Sequence, residues 1–153
     1  MLIQQLDLRF EPDTDGTGEL FASARRDGFS GAGSAWFSEK CLLDFGARLP
    51  ACFPLPPGAD IRIEGGYWLP GGSPPRLAEI LVGVRVYPVG ALGAIGVRLE
   101  LGDGQYEHQR PESRGRACFE LMASYEEIQR FGAQVVQLLR SPGGIACLFQ
   151  DAA

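Results

Sequence analysis

The chain has 153 residues, 45% of them hydrophobic and 22% charged, with a formal net charge of −5 and a pI near 4.9. That length suits one domain with a sizeable core, and that composition excludes a disordered chain. The acidic balance argues against nucleic acid or an anionic membrane as partner, because both attract basic surfaces, and it allows a basic protein partner.

Residues 1–10 carry no basic region ahead of an apolar core, so no signal peptide is expected. No apolar run approaches the roughly 20 residues that span a bilayer. Cys41, Cys52, Cys118 and Cys147 lack CxxC or other zinc-like spacing and read as reduced, mostly buried thiols of a cytoplasmic protein.

In chain order, Leu6, Leu8 and Phe10 alternate with Asp7 and Arg9, which predicts a strand with one buried face. Residues 19–26 and 29–37 flank Asp27-Gly28, the strongest two-residue hairpin signal in the sequence. The second of these runs, FSGAGSAWF, sets Gly31, Gly33 and Ala35 on one face. It lacks the spacing of a phosphate-cradling loop, so a helix packed closely over a strand without side chains is expected. Ser38 caps a helix in which Cys41, Leu42, Phe45 and Leu49 form an apolar stripe, and a proline-rich stretch to Gly58 ends it.

Strands are expected around Ile61–Ile63 to Trp68, over 77–88, over 97–101 and over 115–123, with Ile145, Cys147 and Phe149 forming a short last one. Between them, 102–114 is polar and aperiodic and reads as a loop. The clearest helix is 124–140. Ile128, Phe131, Gly132, Val135, Leu138 and Leu139 make one apolar stripe, Ser124 with Glu127 forms a capping box, and Pro142-Gly143-Gly144 stops it.

Setting Ser38 on Ser124 aligns Leu42 with Ile128, Phe45 with Phe131, Gly46 with Gly132 and Ala47 with Ala133. The match suggests an internal duplication of two strand-rich units, 1–50 and 61–140, each closed by one helix. The paired glycines suggest that each helix lies close on its sheet. The expected fold is a single α+β domain, 1–153: a mainly antiparallel sheet of seven or eight strands with two helices on one face.

No catalytic constellation emerges, and no cofactor or metal is expected. His108 lies beside Asp103, Glu107 and Glu112 without metal-ligand spacing, and no serine elbow is present. Two features remain as a candidate interaction surface. Trp36, Tyr67 and Trp68 form an aromatic group of the kind that anchors interfaces. The loop with His108, Arg110, Glu112 and Arg114 is long for a hairpin connection and suits recognition.

The glycine-rich strand ending AWF, the capped helix, the GYW hairpin, the VYPVG strand and the SYE-led helix together resemble small bacterial single-domain proteins, some of them toxin-neutralising immunity proteins. The likeness runs from about Phe29 to Leu139 and carries no functional residue across. It implies a bacterial origin and a binding role. The expected function is a non-enzymatic protein-binding module, immunity or inhibitor in type, with a homodimer through a sheet face or edge also open. The alternative is a small-molecule or enzymatic domain with a pocket between sheet and helices near Trp36, Tyr67 and Trp68.

Overall fold

A computed structural model describes residues 2–104 and 110–150. The described strands are β1 (Gln4–Pro12), β2 (Thr17–Arg26), β3 (Phe29–Ser38), β4 (Ile61–Trp68), β5 (Leu77–Val89), β6 (Ala94–Gly102), β7 (Arg116–Ser124) and β8 (Ala146–Cys147). Helix α1 (Glu39–Arg48) follows β3 and helix α2 (Tyr125–Arg140) follows β7. The α+β class holds, with the strands divided between two open antiparallel four-stranded sheets, β3-β2-β1-β8 and β4-β5-β6-β7.

The two halves of the chain share one order of elements. Each half runs as a three-stranded meander, a serine-capped helix and one further strand, and that last strand joins the other half's sheet. Strand β4 follows α1 but pairs with β5, and β8 follows α2 but pairs with β1. Sequence positions 61–68 therefore close the first half's pattern rather than opening the second. The meander turns correspond too, since Gly16 and Gly93 each end one with φ of +82° and +89°. Ser38 accepts from the Cys41 amide at 3.1 Å, and Ser124 and Glu127 form the reciprocal capping box.

Period-two alternation turns Leu6, Leu8, Phe10, Leu20 and Ala22 of the first sheet inward, and Val82, Val84, Val97, Leu99 and Leu121 of the second. With Leu42, Phe45, Ile128, Phe131 and Val135 of the helices they form one continuous core. Gly46 and Gly132 mark a helix-on-helix contact, which replaces the expected helix-on-sheet approach. A Cβ on Gly132 would lie 2.7 Å from Gly46 O, and one on Gly46 would lie 3.0 Å from Gly132 O. The helices meet backbone to backbone, an approach open to them only because neither residue has a side chain.

The glycine strand is likewise covered by something other than a helix. Strand β3 crosses the end of the second sheet along Ala117, Leu101, Gly102, Leu81 and Gly65. A Cβ on Gly31 would meet Ala117 Cβ at 2.5 Å, one on Gly33 would press on Leu81 O and lie 2.7 Å from Gly102 O, and Phe37 rests on Gly65. The small residues let two sheets cross at close range. At the Asp27-Gly28 turn only Asp27 takes the left-handed conformation, with φ of 50°. At the last strand Ala146 and, just after it, Leu148 are buried, and Ile145 just before it is exposed, opposite to the expected alternation.

Candidate interaction surface

Strand β3 and the β4–β5 hairpin carry the predicted aromatics, and the two elements meet where Phe37 packs on Gly65. Trp36, just before Phe37, turns by alternation to the outer face of β3, while Tyr67 and Trp68 follow Gly65 at the end of β4. Trp36 is 56% exposed, Trp68 51% and Tyr67 43%, and Leu69, next after Trp68, is exposed as well. The cause is the crossing: Gly65 and Leu81 lie beneath β3, and the hairpin beyond them, closed by the Leu69 amide donating to Arg76 O at 2.8 Å, projects past its free edge.

The polar part of the predicted set divides. Arg114 donates to Glu79 at 2.9 Å and ties the chain entering β7 to β5, where Glu79 stands opposite Tyr67. Arg110 and Glu112 form a 3.5 Å pair with both side chains in water, an arrangement that contributes little. His108 lies outside the described residues. Cys41 and Cys118 are exposed and Cys147 is half-buried, which corrects the expectation of mostly buried thiols. Only Cys52 is buried, and burial pushes its thiol pKa up, away from the reactive thiolate.

Three arrangements carried no sequence signal. The first guards an edge: Gln4 Nε2 donates to Met122 O at 2.9 Å while the Met122 amide donates to Gln4 Oε1 at 2.8 Å, and Arg26 Nη1 donates to Glu120 O at 3.0 Å. These side chains take up outward-facing backbone groups of β7, the edge of the second sheet.

The second lies on the outer face of that sheet, where Arg62, Arg85 and Arg98 stand directly opposite one another on β4, β5 and β6. Asp60, 9% exposed, holds two of them, accepting from Arg62 Nη2 at 2.6 Å and Arg85 Nε at 3.1 Å. The Arg62 hydrogen bond, with help from Arg85, keeps its carboxyl below the usual range. Beside it, the Tyr87 hydroxyl donates to Glu120, and burial together with that bond pushes the phenol pKa up to about 12.

The third is a cleft of about 500 Å³ on the outer face of the first sheet, with Ser23, Ala32 and Ser34 as floor and Arg9, Phe21 and Ile145 among its walls. The space between sheets and helices, by contrast, is filled by core side chains. Among the described residues no grouping of His, Cys, Asp and Glu could hold a metal ion, and no helix is long and apolar enough to cross a membrane. Comparison with known proteins finds no matching family model, curated protein or solved structure.

Proposed function

We propose that this chain is a non-enzymatic protein-binding module whose contact surface is the aromatic edge of β3 and the β4–β5 hairpin. The observation that carries the reading is the exposure of Trp36, Tyr67, Trp68 and Leu69 on two elements that meet where Phe37 packs on Gly65. Large half-exposed aromatics anchor interfaces because they bury much apolar area at low entropic cost. A net charge of −5 favours a basic partner, which suits the inhibitor or immunity form of the reading in a bacterial cytoplasm. The test is affinity capture from the native cell with the wild-type chain and a Trp36→Ala/Trp68→Ala variant in parallel. A protein retained by the first and lost by the second is expected; identical profiles would sink the proposal.

A second reading has its own observation, the cleft floored by Ser23, Ala32 and Ser34, whose volume falls in the range of small-molecule sites. It moves the expected pocket from between sheet and helices to an outer sheet face. Amide shifts of Ser23, Ala32 and Ser34 in a small-molecule screen would support it, and a screen leaving them unmoved would dismiss it.

A further inference from the structure

We propose that the free edge of β3 pairs antiparallel with β3 of a second copy of this chain, joining two first sheets across a two-fold axis into one continuous sheet. This names a partner for the aromatic edge and rests on the reading of that edge as a protein-binding surface.

The backbone geometry comes first. The two-residue turn makes Arg26 and Phe29 a hydrogen-bonded pair, and the register continues unbroken to Thr17 and Ser38. Alternation then directs the N–H and C=O of Ser30, Ala32, Ser34 and Trp36 away from β2. Among the described residues none of these groups has a hydrogen-bond partner.

The other sheet edges are each guarded. Gln4 and Arg26 occupy the edge of β7. Strand β4 carries Arg62 and Glu64 and breaks register at Gly65/Gly66 and Tyr67/Trp68. Strand β8 spans only Ala146–Cys147, and Gln134 accepts from its Cys147 amide at 2.8 Å. Charge, bulges, shortness and side-chain cover are the usual devices against edge pairing. Strand β3, FSGAGSAWFS, has none of them: no charged residue, no proline, no bulge.

The same composition selects the occupant. A foreign strand chosen by charge would find nothing on β3 to read, whereas two copies meet without opposing like charges. With Gly33 opposite Gly33, Ser30 falls opposite Trp36 and Ala32 opposite Ser34. Every outward-facing residue then meets another, and the one large outer side chain sits beside a small one. The two-fold also carries the Phe29 end of each strand to the Trp36 end of the other. Phe29 is 63% exposed, and in this register it arrives opposite Phe37, next to the hairpin that bears Tyr67 and Trp68. Phe29 thus gains cover on the inner face beside Phe37 of the second copy, and Trp36 on the outer face beside its Ser30. Phe29 and Trp36, each more than half exposed, contribute roughly 200 Å² per copy. With the strand edge this makes an interface smaller than the standard ~800 Å² per partner, which suits weak association in the micromolar range.

Sedimentation equilibrium of the full chain from low to high micromolar concentration tests the pairing. A wild-type dimer is expected, with its dissociation constant raised at least tenfold by Ala32→Pro, which removes an outward N–H and spares the bonds to β2. Because that variant could fail to fold, an Ala32→Lys/Ser34→Lys chain is measured beside it. Its lysines sit on the outer sheet face and oppose one another only in the dimer. A wild-type monomer throughout, or an unchanged dissociation constant in both variants with a native circular-dichroism spectrum, would overturn the proposal. The Trp36→Ala/Trp68→Ala chain separates this failure from failure of the underlying reading. A monomeric wild type that still captures a foreign protein through those aromatics refutes only the β3 pairing. No change in either self-association or capture removes the protein-binding surface itself.

Discussion

Strands β3 and β7 occupy the same place in the two halves: each is the outer strand of a meander and runs directly into a serine-capped helix. Their free edges differ completely. The outward groups of Met122 and Glu120 are taken by Gln4 and Arg26, which reach across from the other sheet, while those of β3 have no partner among the described residues. Inner faces differ as well, Gly33 on β3 standing where β7 carries the buried Phe119. Whether an edge is open is therefore decided by what the other sheet brings to it, and not by the strand's place in its own unit.

The largest expected effect breaks the comparison at Gly33. Valine there would drive a branched side chain into the backbone of Leu81 and Gly102 and lift β3 off the second sheet. A loss of about 3 kcal/mol is expected in urea unfolding; a near-neutral result would show that the sheets do not cross as described. Next comes the helix contact. Alanine at Gly132 gains about 1 kcal/mol of helix propensity, yet its Cβ would meet Gly46 O at 2.7 Å. A net loss of about 1–3 kcal/mol is expected from overpacking against backbone, and a rise in melting temperature would refute the close contact.

Gln4→Ala makes β7 resemble β3. It removes the two bonds to Met122, for a loss of about 1–2 kcal/mol, and bares an edge that is covered in the wild type. Sedimentation should then detect association beyond the wild-type species, and its absence would mean that Gln4 is not what protects β7. The smallest effect concerns Tyr87, which holds Glu120 of β7. Its folded pKa, about 12, lies above the ordinary value of 10, so its contribution is complete below pH 10 and is lost as the pH rises through 12. The wild-type urea midpoint should fall over that window more steeply than that of Tyr87→Phe, and parallel curves would deny the shift.

Local pattern made most elements legible. Alternation at Leu6, Leu8 and Phe10, the Asp27-Gly28 turn and the capping box at Ser124 are written within a few residues. The pairing of Gly46 with Gly132 was visible too, but its meaning was not, because a glycine reports a close approach without naming what approaches. The division into two sheets depends on where β4 and β8 go, and their alternation is the same in either sheet. On the surface, Trp36, Tyr67 and Trp68 stood out by residue type. The guard at Met122 did not, since Gln4 lies 118 positions away and an isolated glutamine has no periodicity to give it away. The open edge of β3 was legible only as an absence of charge, whose weight appears once the other edges are seen to be covered.

Amide hydrogen exchange of β3 as a function of protein concentration tests the central claim most directly. The amides of Phe29, Gly31, Gly33 and Ala35, bonded to β2, should be protected at every concentration. Those of Ser30, Ala32, Ser34 and Trp36 should exchange fast when dilute and slow down together as concentration rises, while the amide of Met122, held by Gln4, stays protected throughout. Fast exchange at Ser30, Ala32, Ser34 and Trp36 that does not change with concentration would contradict the account.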